Sequence, residues 1–153
     1  MLINIDPLLS PELLSILRSM GHGDKLVLCD ANFPAHSNNE RVVRLDGIDI
    51  PRAAKAILSV FPLDSFVPAP VQRMEIDGKA DEINEVHQDL INLVHEISGP
   101  NWKIASIERH QFYDETKKAY AVVTTSETRP FGCFILTKGV VKSDGSVWIL
   151  DNN

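Results

Sequence analysis

Gly21-His22-Gly23-Asp24-Lys25-Leu26-Val27-Leu28-Cys29-Asp30-Ala31-Asn32-Phe33-Pro34-Ala35-His36-Ser37 is the stretch that decides how this chain is laid out. Leu26 to Cys29 is short, continuous and apolar, the pattern of a strand covered on both faces. A helix ends at Gly21, immediately before it, where glycine suits a left-handed C-cap. His22 and Asp24 therefore occupy a tight turn, and Asp30 is delivered at the C-terminal end of the strand. Asn32 and Pro34 break regular structure, so residues 30–34 form a loop. Turns and strand ends are where α/β scaffolds place functional groups.

The helix before this stretch opens on Ser10-Pro11-Glu12: a capping hydroxyl, a proline suited to the first turn and an acid at the positive end of the dipole. Leu13, Leu14, Ile16, Leu17 and Met20 recur at helical spacing. After the stretch, Val42 to Leu45 reads as a second strand ending at Asp46-Gly47. Pro51 opens a helix that Pro62 ends. Val71 to Ile76 is a strand followed by an Asp77-Gly78 turn. The spacing predicts a long helix from about Ala80 to Ile97, with His87 and His95 off its apolar stripe and exposed; Gly99-Pro100 stops it. Ile104 to Ile107 is a strand ending at Glu108-Arg109-His110. A short helix over Phe112 to Lys118 follows, then strands over Ala119 to Thr125 and Phe131 to Thr137. Thr128-Arg129-Pro130 turns between those two strands, and Gly132 permits close backbone approach. Asp144-Gly145 marks a hairpin returning through Val147 to Leu150. Strands and helices alternate without repeats or linkers. The expected fold is α/β, a single three-layer domain over residues 1–153 with a mixed sheet between helices.

Composition narrows the function. The 153 residues are 44% hydrophobic and 24% charged, ordinary for a globular chain with one sizeable core. Fifteen Lys and Arg against 21 Asp and Glu give a net charge of −6, which argues against nucleic acid or an anionic membrane surface as partner. Cys29 and Cys133 both sit in apolar surroundings and read as buried free thiols in a reducing cytoplasm. The N-terminus lacks a basic-then-apolar run, and no apolar run approaches membrane-spanning length. The expected location is cytoplasmic.

The chain has no Gly-rich phosphate loop and no Cys or His cluster with metal spacing. No serine has the context of a nucleophile elbow. What remains is a meeting of His22, Asp30, Arg109 and His110 at loops beside strand ends. Such a set moves protons and makes hydrogen bonds without a cofactor, and suits a neutral, hydroxyl-rich ligand. Residue by residue the reading stays open. A turn histidine is more often solvated or capping a carbonyl than catalytic, and Asp30 reads equally as an Asx turn or as a ligand-binding carboxylate.

Longer motifs go further. Leu8-Leu9-Ser10-Pro11-Glu12-Leu13-Leu14, Met20-Gly21-His22-Gly23-Asp24 and Asp30-Ala31-Asn32-Phe33-Pro34-Ala35-His36-Ser37 resemble the bacterial RbsD/FucU family of fucose mutarotases and ribose pyranases, on the fucose side. Arg109-His110-Gln111-Phe112-Tyr113 resembles that family's second binding segment. Phe131-Gly132-Cys133 with Ile135-Leu136-Thr137-Lys138-Gly139-Val140 resembles its third. The resemblance runs from the N-terminus to about Val141. It implies interconversion of the anomers of a free monosaccharide, L-fucose or a related sugar, with no metal or coenzyme. It implies His22 as proton donor and Asp30, Arg109, Phe131, Gly132 and Cys133 as sugar-binding residues. At the position of Arg109, fucose-type members carry arginine and ribose-type members histidine. Phe131-Gly132-Cys133 stands where well-known members carry a Tyr-Gly-Asn type triplet, so a phenol and a carboxamide are missing. The resemblance also implies a ring-shaped homo-oligomer, commonly a decamer, with sites near subunit contacts. Val147 to Asn153 extends past the usual family end. A non-catalytic sugar-binding accessory of an uptake system is the competing reading, and a ribose pyranase the other.

Overall fold

The computed structural model describes residues 1–150 and is built on one six-stranded mixed sheet with the order β2-β5-β1-β6-β3-β4. Its strands are β1 (Lys25–Cys29), β2 (Val42–Leu45), β3 (Val71–Met74), β4 (Ile104–Ile107), β5 (Ala121–Thr125) and β6 (Phe134–Thr137). The helices are α1 (Pro11–Ser19), α2 (Ala35–Asn38), α3 (Ile50–Leu58), α4 (Glu85–Ser98) and α5 (Arg109–Lys118). β1 pairs in parallel with β5 and antiparallel with β6. β6 is the reversed strand, antiparallel to β3 as well.

The alternation of β1 explains its apolar run. Leu26 and Leu28 face a core built with α1, α3 and α4, including Leu13, Ile57 and Leu90. Val27 and Cys29 face a second core built with α2 and α5, including Phe33 and Phe112. The sheet is therefore covered on both faces, and the three-layer α/β class expected from the sequence is the one found.

Several boundaries differ from the sequence reading, each for a local reason. α1 ends in an extended Met20 (φ −61°, ψ 138°) rather than in a left-handed Gly21; the left-handed residue is Gly23 (φ 84°). α4 starts at Glu85 rather than near Ala80. Asp77 and Gly78 both take positive φ, a bridge closes Ile76 onto Lys79, and the true cap is Asn84, which accepts from His87 N. α5 starts at Arg109 rather than Phe112, because the Glu108 carboxylate accepts from the amides of His110 and Gln111. β6 starts at Phe134 rather than Phe131, since Phe131 has a positive φ of 61° and its carbonyl accepts from Cys133 N. His87 is fully buried, not exposed. The expected C-terminal hairpin consists of one bridge, Val141 to Val147, and residues 151–153 lie outside the described residues.

Candidate functional site

His22 sits at the apex of a turn fixed by the end of β6. Lys138 Nζ donates to the carbonyls of Leu17 (2.7 Å) and Met20 (2.5 Å), so a lysine from across the sheet caps α1 in place of a left-handed glycine. Burial lowers the pKa of this lysine from its ordinary value. Lys138 N donates to Asp24 O, and Lys138 O accepts from Gly23 N. The Asp24 carboxylate closes the turn by accepting from Gly21 N at 2.7 Å. The His22 side chain is 44% exposed, and its Nε2 lies 3.0 Å from Oδ1 of Asp64, whose side chain is 2% exposed. That oxygen also accepts from Phe66 N at 3.0 Å. The Phe66 ring meets the imidazole edge-on at 4.8 Å. Asp64 is held in turn by β6 and the residues that follow it: Asp64 N donates to Thr137 O, Gly139 N donates to Pro62 O, and Leu63 bridges to Lys138. A carboxylate only accepts, so Nε2 of His22 carries the hydrogen and Nδ1 is the nitrogen left for other chemistry.

Asp30 lies at the other end of β1. It is buried; its Oδ1 accepts from Asn32 N at 3.0 Å, so the Asx turn is present. Its Oδ2 accepts from the Cys133 thiol at 3.4 Å. Cys133 is 2% exposed, so what its side chain offers is a hold on Asp30. Burial pushes both thiols, Cys133 and Cys29, above the ordinary cysteine range, and both stay protonated. Gly132 is pressed against this carboxylate: a β-carbon there would meet Glu127 Cγ at 3.2 Å and Asp30 Cβ at 3.5 Å. The residue before it, Phe131, is pinned by His87, whose Nε2 donates to the Phe131 carbonyl at 2.8 Å. Burial lowers the His87 pKa, which keeps the ring neutral. Asn84 Nδ2 donates to Pro130 O at 2.8 Å.

A buried carboxylate organises the approach to this end. Glu127 is 4% exposed and receives Arg129 through Nε at 2.9 Å and Nη2 at 2.8 Å. The Arg129 guanidinium holds the Glu127 carboxyl down at about 2, and the Ile50 amide adds to this. Arg129 Nη1 also donates to Asp89 at 2.6 Å, and the Glu127 carbonyl accepts from Ala31 N. One ion-pair cluster thus links the loop after Asp30 to α3 and α4. Arg109, the first residue of α5, is exposed at the outer strand of this same end, and its side chain has no hydrogen bond or ion pair among the described residues. Phe33 meets Phe112 at 5.5 Å and Tyr113 at 5.3 Å, which ties the loop after Asp30 to the helix that begins with Arg109.

The structure therefore brings together part of the predicted set. Asp30, Arg109, Phe131, Gly132 and Cys133 share the end of the sheet where β1, β3 and β4 finish and β6 begins. His22 does not join them. It precedes β1 and Asp30 follows it, and five extended residues span roughly 16 Å. The expected meeting of His22 with Asp30 and Arg109 within one chain is corrected on this ground. His110 is exposed and lies against Tyr113. Sequence reasoning missed Asp64, Phe66, His87, Glu127 and Arg129, because each acts on a partner distant in sequence. Among the described residues no three His, Cys, Asp or Glu side chains converge as a metal site, and no helix is long and apolar enough to cross a membrane.

Comparison with known proteins adds identity to geometry. The family model described as the RbsD / FucU transport protein family matches residues 3–141. An L-fucose mutarotase of Actinobacillus pleuropneumoniae serotype 5b (strain L20) is 41% identical over 140 residues, covering 92% of this chain and 97% of that protein. The fucose mutarotase of Streptococcus pneumoniae, solved in complex with L-fucose, superposes with a TM-score of 0.81 at 39% identity, covering 92% of this chain and 100% of the other. RbsD of Bacillus subtilis, solved with D-ribose, superposes with a TM-score of 0.69 at 25% identity over 88% of this chain and 95% of the other.

Proposed function

This chain belongs to the RbsD/FucU family, and from that premise we infer that it is a sugar mutarotase, an isomerase that interconverts the anomers of a free monosaccharide of the L-fucose type. The observation that carries the catalytic reading is His22: an imidazole at a turn, with one nitrogen occupied by a buried carboxylate and the other left open. A sugar-binding accessory has no need of a proton-carrying group held in one tautomer.

The reaction asks only for proton transfer. In its doubly protonated form His22 gives the Nδ1 proton to the pyranose ring oxygen as the bond from C1 to that oxygen breaks, and water takes the proton that the anomeric hydroxyl loses as the C1 carbonyl forms. The aldehyde turns about its bond to C2 and the steps reverse on the other face. General acid–base help of this kind is worth ~10²–10⁴-fold. Asp64 orients the imidazole through the hydrogen bond to Nε2. Asp30 accepts from a sugar hydroxyl, and the Arg109 fork donates to adjacent oxygens. Gly132 lends backbone, Phe131 an apolar face, and Cys133 holds Asp30. The reaction runs without metal or coenzyme.

His22 and the Asp30 end reach one sugar when two copies meet, His22 of one against Asp30 and Arg109 of the next. The protein is accordingly a homo-oligomer, a decameric ring as the family resemblance implies, working in the cytoplasm. Anomer exchange followed by NMR over L-fucose, related sugars and D-ribose tests the function. The expected result is exchange fastest on L-fucose, unaffected by a chelator, with His22→Gln folded, still binding sugar and at least ~10²-fold slower. Exchange at the uncatalysed rate with every sugar would make the protein a binder.

A further inference from the structure

Residues 142–150 lie beyond the family match, which ends at residue 141, yet they fold back onto the His22 end of the molecule. Lys142 N donates to Ser146 O and a bridge joins Val141 to Val147, around a turn at Gly145 (φ 86°). Trp148 N then donates to Val140 O at 2.8 Å. Ser65 clamps the returning chain twice: its Oγ donates to Trp148 O at 2.7 Å and accepts from Leu150 N at 3.1 Å. Ser65 lies between Asp64 and Phe66, the two residues that touch His22.

The clamp sets a chain of rings. Trp148 meets Phe66 edge-on at 5.9 Å, and Phe66 meets His22 edge-on at 4.8 Å. Neither aromatic residue is a core residue: Phe66 is 44% exposed and Trp148 46%. The single hydrogen bond from His22 Nε2 to Asp64 fixes one atom of the imidazole and leaves its plane free to turn about that bond. A ring packed against its face or edge removes that freedom, and Phe66 does so only while something holds Phe66.

We propose that Trp148, carried by the C-terminal extension, is a positioning residue for the family reaction: it holds Phe66 against His22, so that Nε2–H stays on Asp64 and Nδ1 faces the sugar. The inference rests on the reading of His22 as proton donor. A reacting group misplaced by about an ångström loses up to roughly a hundredfold in rate, so a loosened but still tethered imidazole is expected to lose about tenfold.

The test uses the full chain and three variants, Trp148→Ala, Trp148→Phe and His22→Gln. Anomer exchange on L-fucose gives kcat and KM, and ¹⁵N spectra of the imidazole give its tautomer. The expected result for Trp148→Ala is a kcat about tenfold lower with KM within about twofold, and imidazole nitrogens moved towards the average of the two tautomers. Trp148→Phe restores most of both. Unchanged kcat, a raised KM at constant kcat, unmoved nitrogen signals, or a smaller assembly by light scattering each overturn the proposal, the last because the tail would then be an interface strap. His22→Gln separates the two readings. Full exchange in that variant rejects the donor assignment by itself, and the nitrogen spectra still decide whether Trp148 fixes the ring.

Discussion

A methyl group at residue 139 has no place to go: it would overlap the Leu63 carbonyl and come within 2.9 Å of Asp64 Cα. Gly139 is where the chain after β6 crosses the segment that presents Asp64 to His22. Gly139→Ala is therefore expected to cost about 1–3 kcal/mol of stability, the usual price of overpacking. It should also slow anomer exchange, since the backbone forced aside is that of Asp64. Denaturant midpoints and exchange rates measured on the same sample check both, and an unchanged midpoint with full activity would contradict it. The motifs singled out His22 and Asp30, and gave Gly139 no part. The sequence hid Asp64, because the contact with His22 spans 42 residues and depends on the bridge between Leu63 and Lys138. His87 was misread for another reason. Positions 87, 90 and 94 share a helix face, but the polarity of imidazole made residue 87 look like surface, whereas its ring is buried and holds the Phe131 carbonyl.

Between β5 and β6 the chain crosses the Asp30 end as a turn, and what stiffens that turn is charge. Glu127 is pulled down to about 2 by Arg129, from an ordinary value of 4.5. The folded protein thus binds this proton less readily than the unfolded chain. The stabilisation is complete above the ordinary value and is lost as pH falls from about 4.5 towards 2; a depression of this size is worth on the order of 3 kcal/mol. Denaturation midpoints should therefore drop steeply over that range, and Glu127→Gln should flatten the drop while lowering stability at neutral pH. An equally steep acid dependence in Glu127→Gln would assign the loss to other carboxylates. Elements with strong periodicity, α1 and the body of α4, were legible from spacing. The starts of α4 and α5 were not, because the caps Asn84 and Glu108 act through side-chain geometry that polar character alone does not reveal. The turn at Thr128-Arg129-Pro130 was readable as a turn, but the tie of Arg129 to Asp89 and that of the neighbouring Glu127 to the Ile50 amide were not.

At the scale of the whole molecule, the layered α/β class followed from alternation and from the doubly buried run of β1, while the strand order and the reversal of β6 did not, since side-chain pattern carries no strand direction. That reversal brings Phe131 to Cys133, before β6, to the Asp30 end of β1, and Lys138, after β6, to the His22 turn at the other end. If the site joins two copies, His22→Gln and Asp30→Asn, each inactive alone, should recover about a quarter of wild-type exchange when unfolded together and reassembled at equal amounts, because random neighbours restore that share of complete sites. No recovery in assembled mixtures would place the whole site within one chain. The reversed strand has a wider consequence. In a wholly parallel sheet every strand finishes on one rim, and change concentrates in the loops there. Here β6 finishes where its neighbours begin, so the fold has two working rims, joined by four residues of rigid ladder. The proposed proton donor and the proposed sugar-binding residues lie on separate rims, so a lineage can revise one set while copying the other unaltered.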